Sequence, residues 1–156
     1  MPAHRLRALG AQAPNAMAFR YLPDVALADV AFEAESDSID GLFETCALAV
    51  TDVMVDPKTL KGGTVKIFSL EAPDLDRLLY DFLTELIISK DVDSLLFKEF
   101  SVRVGPGNLS LTAQARGEAI DRERHSLRND AKAVTMHLFG VRQDGPRWKA
   151  TVVLDI

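Results

Sequence analysis

The stretch Ser38-Ile39-Asp40-Gly41-Leu42-Phe43-Glu44-Thr45-Cys46-Ala47-Leu48-Ala49-Val50-Thr51-Asp52-Val53-Met54 carries apolar side chains at Ile39, Leu42, Phe43, Cys46, Ala47, Val50, Val53 and Met54. That is i, i+3, i+4, i+7, i+8 spacing, the mark of a helix with one face in a core and the other in solvent. Ser36, Asp37 and Ser38 offer N-cap oxygens, and Pro57 stops the pattern. A second stripe, Leu75, Leu78, Leu79, Phe82, Leu83, Leu86 and Ile87, follows Pro73. Pro73 is expected to open that helix, where a missing N–H costs nothing. Both stripes read as core-facing rather than as ligand boxes of Leu and Phe.

Outward from the helices the period changes to two. Val30, Phe32 and Ala34 share one face of a strand, with Asp29, Ala31 and Glu33 on the other. Thr64 to Leu70 is a second strand. Phe100, Val102 and Val104 alternate before Gly105-Pro106-Gly107-Asn108, and Leu109, Leu111, Ala113 and Ala115 alternate after it, so this is a hairpin. Ala131 to Arg142 and Arg147 to Ile156 form another across Asp144-Gly145-Pro146, with Trp148, Ala150, Val152 and Leu154 facing one way. The order is strand, helix, strand, helix, strand, strand, loop, strand, strand. Residues 64–116 are strand-helix-strand-strand, and removing them leaves 28–55 plus 131–156, again strand-helix-strand-strand. The expected fold is α+β: two such modules, one inserted in the other, each helix covering a face of an antiparallel sheet.

The chain has 156 residues, 47% hydrophobic and 26% charged, which suits one globular domain. Lys+Arg 18 against Asp+Glu 23 gives a net charge of −5. That balance argues against general coating of nucleic acid, which needs many cations on phosphates. The single cysteine, Cys46, excludes an internal disulfide, favours a reducing, cytoplasmic compartment, and sits on a core stripe as an inert thiol. The longest uninterrupted apolar run, Cys46 to Val50, is too short for a bilayer. Residues 1–18, with Arg5 and Arg7 and no acid, lack the apolar core of a secretory signal and are expected to be a disordered extension, with Met17 an alternative start. The domain proper is then 19–156.

Chemistry is sparse. Glu118 to Lys132 is the one polar-dense stretch, holding Glu118, Asp121, Arg122, Glu123, Arg124, His125, Arg128, Asp130 and Lys132. Composition favours a solvated loop over a functional one. His125 has the chemistry of a metal ligand or general acid–base group but no spaced partner, and His137 lies in a strand pattern and reads as structural. No G-x-S-x-G, P-loop, H-E-x-x-H or paired C-x-x-C is present, which shifts weight toward a binding or accessory role. Asp29 and Asp155 lie on the polar faces of the first and last strands of the outer module, so they can meet. Carboxylate oxygens suit Ca²⁺ or Mg²⁺, while solubilising aspartates are the plainer reading.

Arg124-His125-Ser126-Leu127-Arg128-Asn129-Asp130-Ala131-Lys132-Ala133-Val134-Thr135 resembles the His-…-Glu-Val-Lys-Ala-Val-Thr signature of the archease family. Gly117-Glu118 is similar to its Gly-Glu pair, Val152-Val153-Leu154-Asp155-Ile156 to its closing Asp-Ile, and Ala28-Asp29-Val30 to the end of its His-Thr-Ala-Asp motif. Asp74, Leu75, Leu78, Leu79, Phe82, Leu83, Glu85 and Leu86 fit its second helix, and Leu96-Phe97 the segment after it. The likeness runs from about Phe19 to Ile156. It implies two nested strand-helix-strand-strand modules, and an accessory protein of the RtcB-type RNA-splicing ligase that promotes guanylylation and turnover without being an enzyme itself. It also implies a divalent metal, Ca or Mg, at Asp29, Asp155 and Ile156, with Glu118, His125, Asp130 and Lys132 as the polar cluster near it. No direct sequence-specific nucleic-acid binding and no membrane association are implied. The chain departs from the family at Ala26-Leu27, where His-Thr is usual, at Val25 or Asp24 before them, and at Asp130, where Glu is usual. The competing expectations are a small metal-dependent hydrolase using Asp29, Asp155 and His125, or a plain interaction adaptor.

Overall fold

The computed structural model describes residues 18–23 and 29–156. The elements are β1 (Ala18–Leu22), β2 (Asp29–Ser36), α1 (Ile39–Met54), β3 (Thr64–Glu71), α2 (Leu75–Asp93), β4 (Leu95–Val104), β5 (Ser110–Ala119), β6 (Ala133–Asp144) and β7 (Arg147–Asp155). Two antiparallel sheets form, one of four strands in the order β1-β2-β7-β6 and one of three in the order β3-β5-β4. The nested arrangement is therefore realised: β3-α2-β4-β5 makes its own sheet, inserted between α1 and β6.

β1 corrects the expected order. The expected order has no strand before Asp29 and places Ala18 in the extension, yet Ala18 to Leu22 pair with Glu35 to Ala31. Tyr21 is buried there. The expectation of disorder for residues 1–17 lies outside the described residues. A second correction is at α2. Pro73 precedes the helix, and Asp74 is the cap, its carboxylate accepting the Arg77 N–H at 2.8 Å. At α1 the cap is Ser38, whose hydroxyl accepts the Gly41 N–H at 3.0 Å.

The apolar stripes meet in one core. The Phe43 ring of α1 stacks on Phe82 of α2 at 6.1 Å, and Phe68 of β3 stands edge-on to both Phe82 and Phe97. α1 packs on β2 and β7 of its own sheet but also along β4, while α2 packs on β3, β4, β5 and reaches β6. Each helix thus spans both modules, more than the single sheet face expected.

The crossing has a repeated polar signature. The Val104 N–H at the free edge of β4 donates to Asp40 of α1 at 2.8 Å, and the Val141 N–H at the free edge of β6 donates to Asp76 of α2 at 2.9 Å. Asp40 and Asp76 both stand two residues after their caps. Each module's helix therefore seals the edge strand of the other module. Glu44 adds a second acceptor for Val102 N–H at 2.8 Å. Edge N–H groups that would otherwise invite another chain are satisfied internally. β6 also carries a bulge: Thr135 faces Val153, but the next paired residue is Gly140, opposite Thr151. Met136, His137 and Leu138 protrude there, with Leu138 at φ 58°. His137 is accordingly exposed on the bulge rather than structural within a regular strand.

Candidate functional site

The start of β2 and the end of β7 come together at one end of the four-stranded sheet. Asp29 lies directly opposite Asp155, and Asp155 also faces Ala133 at the start of β6. Both aspartates are half-buried, as is Ile156, which packs on the core. The next pair inward on the same face, Ala31 and Val153, is buried, so the carboxylates stand at the rim of an apolar patch. The Asp155 carbonyl accepts the Lys132 N–H at 2.7 Å, while the Lys132 side chain is exposed. Directly opposite residues on one face hold their Cβ atoms about 5 Å apart. The two carboxylates and the main-chain oxygen of Ile156 fit a hard cation held by few protein oxygens, as Mg²⁺ commonly is. Among the described residues no group of three or more His, Cys, Asp or Glu side chains could hold an ion. The described residues alone would therefore leave the shell of an ion here incomplete. Ala26 and Leu27 lie outside the described residues.

The remaining expected site residues do not gather round this pair. His125 was expected at the rim, yet its side chain is fully buried beneath the loop after β5. Its Nδ1 accepts the Asp121 N–H at 2.9 Å, which leaves the proton on Nε2 to point at Glu118, 2.9 Å away. Glu118 also receives two N–H groups of Arg124, at 2.9 and 2.6 Å, and the Lys61 N–H at 2.6 Å. These donors hold the Glu118 carboxyl well below the usual carboxylate range, Arg124 most of all. His125 is thus a clamp for the loop, with both nitrogens engaged and neither available to a substrate. The hydrolase expectation loses its base. Cys46 is buried and its thiol is pushed up by burial, so it offers no nucleophile.

Asp130 is found in a second cluster. Lys90, three residues after Ile87 at the end of the α2 stripe, is nearly buried and donates to Asp130, to Asp91 at 2.8 Å and to the Ala131 carbonyl at 2.8 Å. Burial pulls its pKa down, but the two carboxylates outweigh that and leave it raised. Beside it, buried Asp52 at the end of α1 accepts from the Tyr21 hydroxyl at 2.6 Å and from Arg128 at 3.0 Å. The N–H groups of Arg128 and Asn129 cap the α1 carbonyls of Met54 and Val53. A cleft of about 420 Å³ opens between the two helix ends, lined by Met54, Lys90, Leu96, Ile120 and Arg128 among others.

Residues 125–132 therefore form a strap. It runs from the His125 clamp, past the C-terminal ends of both helices, to the Asp155 carbonyl. The sequence suggests a solvated loop; instead two backbone N–H groups of the segment and the Arg128 side chain satisfy α1 carbonyls that would otherwise be orphaned. Asp52, Lys90 and Arg128 were not singled out from sequence. For Lys90 a signal existed, since it falls four residues after Leu86 on the apolar stripe and so must meet an acceptor when buried. For Asp52 and Arg128 the partner lies 76 residues away and no local pattern reveals it.

Known proteins share this construction. The sequence profile of the Archease protein family matches residues 19–156. The archease of Methanosarcina barkeri is 38% identical over 132 residues, covering 83% of this chain and 90% of the relative. That of Pyrococcus abyssi is 35% identical over 133 residues, with 83% and 93% covered. The solution structure of Methanobacterium thermoautotrophicum protein 1598 superposes with a TM-score of 0.77 at 32% identity, covering 88% of this chain and 98% of that one. A Thermotoga maritima crystal structure described as an archease and possible chaperone shares the fold, with a TM-score of 0.59 at 20% identity over 86% of this chain and 96% of that one. With the profile spanning all but the first residues and the relatives matched over most of their length, this chain belongs to the archease family.

Proposed function

We propose that this chain is a non-catalytic activator of an RtcB-type RNA ligase, promoting guanylylation of the ligase and its repeated turnover in cytoplasmic tRNA splicing or RNA repair. The observation that carries the proposal is the pairing of Asp29 with Asp155 at a sheet end where the described residues offer no third acidic or histidine ligand. Such a site suits an ion shared with a second protein better than a self-contained catalytic centre. Membership of the family supports an accessory role, and so does the engagement of His125 in a structural clamp. In this reading a divalent cation, Ca or Mg, when bound, would supply positive charge between the two molecules. Asp29 and Asp155 would bind it, the strap would hold Asp155 through its carbonyl, and Asp130 and Lys132 would contact the partner.

Incubating the chain with its cognate ligase, GTP and a divalent metal should speed ligase guanylylation, with no ligation by the chain alone. Asp155→Ala should abolish both that acceleration and calorimetric Ca²⁺ or Mg²⁺ binding. Loss of acceleration with no metal binding by the unaltered chain would make Asp155 an interface contact, and unchanged acceleration would refute its role.

A further inference from the structure

Two of the four sheet edges are sealed from within, β4 by Asp40 and Glu44 and β6 by Asp76. β1 is a short edge of five residues. β3 is different. It is eight residues long, pairs with β5 without a bulge, contains no proline, and among the described residues nothing is hydrogen-bonded to its outer edge. Its outward face carries Val65 and Ile67, 44% and 59% exposed. Unsealed, free of bulges and with two exposed apolar side chains, this is the kind of edge that pairs with another strand. The strand is also flanked by two exposed charges of opposite sign, Lys61 before it and Glu71 at its end. Among the described residues neither side chain has an ion-pair partner.

We infer that β3 is a self-association edge, pairing antiparallel with β3 of a second copy of this chain to join two three-stranded sheets into one of six. A two-fold pairing fixes the sum of the numbers of opposed residues, and only even sums keep each strand's outward face on the same side. Among these, one register sets Val65 against Ile67 of the second copy and Ile67 against its Val65. The same register sets Lys61 at the level of Glu71 of the second copy and Glu71 at the level of its Lys61. A slip of two residues either way separates both charge pairs and leaves one apolar contact, Val65 with Val65 or Ile67 with Ile67, in place of two. The one like-charge meeting in this register, Lys66 against its counterpart, falls on the inner face. There each ammonium is already held by its own Asp93 at 3.0 Å and Ser89 at 2.8 Å. Cross-strand apolar and opposite-charge pairs of this kind each stabilise an antiparallel pairing. The contact is small, so the dimer is a transient one. The inference does not rest on the ligase reading.

Sedimentation of the full chain over roughly 1–500 μM, a window suited to a small interface, should show the mean mass rising from that of one chain toward two. Ile67→Lys should remain monomeric with an unchanged melting temperature, since the side chain is exposed. Lys61→Glu and Glu71→Lys should each weaken the dimer several-fold, by setting like charges opposite at both ends, and the double variant should restore it. A chain that stays monomeric throughout, a dimer that Ile67→Lys leaves intact, or a double variant that fails to restore association would each overturn the proposal.

Discussion

Replacing Gly117 with alanine sets two physical effects against each other, and the sign of the result decides between them. Gly117 sits in the central strand of the three-stranded sheet, opposite Thr64 on one side and Phe97 on the other. Glycine in a strand interior forfeits conformational entropy, so by propensity alone alanine should stabilise by roughly 0.5–1 kcal/mol. The structure demands the opposite. A Cβ at this position would stand 1.8 Å from the Leu96 carbonyl oxygen and 2.6 Å from the Phe97 Cα. Both are backbone atoms of β4, beside the bulge between Phe97 and Glu99, and they cannot swing aside as a side-chain tip can. The strands must separate locally, which places the cost at the upper end of overpacking, about 3 kcal/mol. At roughly 3 °C per kcal/mol for a domain of this size, the melting temperature should fall by about 10 °C. Circular dichroism melts and urea titrations of Gly117→Ala measure this directly. A variant as stable as the parent or more so would show that β4 does not press on β5 at Gly117, and would remove the physical reason for the Gly-Glu pair.

Two further outcomes test the core and the clamp. Leu79 is completely buried on the α2 stripe, so Leu79→Ala should cost about 2–5 kcal/mol by leaving a cavity, read as a lowered urea midpoint. Glu118 is held below its ordinary value of 4.5 by Arg124, His125 and the Lys61 N–H. A depressed folded pKa stabilises the fold at every pH above 4.5, and that contribution is lost as pH falls from there through the folded value. The urea midpoint of the parent should therefore converge on that of Glu118→Gln as pH drops below 4.5. A gap that stays constant into acid would refute the clamp.

What could be read locally and what could not divide cleanly by range. The α1 and α2 stripes, the two hairpins and the Asp29 and Asp155 strand ends are periodicities or turn residues within a few positions of each other, and these are visible in any chain. β1 escaped because Ala18-Phe19-Arg20-Tyr21-Leu22 is short and follows an arginine-bearing, acid-free run. Its strand character comes from pairing with β2, not from its own pattern. Asp29 and Asp155 follow from the strand pattern, whereas the gathering of His125, Asp130 and Lys132 near them rests on resemblance to a family, which names residues without arranging them. Asp29 and Asp155 do face each other, whereas His125 turned inward to Glu118 and Asp130 turned to Lys90.

By itself, then, the sequence determined the α+β class, the nesting of 64–116 within the outer module, and which helix faces are apolar. Those follow from burying hydrophobic surface at a fixed period along one element. Only the tertiary structure decided that each helix seals the other module's edge strand, and that residues 125–132 strap both helix ends to Asp155. It alone left β3 open while β4 and β6 are closed. The reason is that a hydrogen bond is made between two groups brought within about 3 Å, and for Asp40 with Val104, Asp76 with Val141, or Asp52 with Arg128 the two lie more than sixty residues apart along the chain.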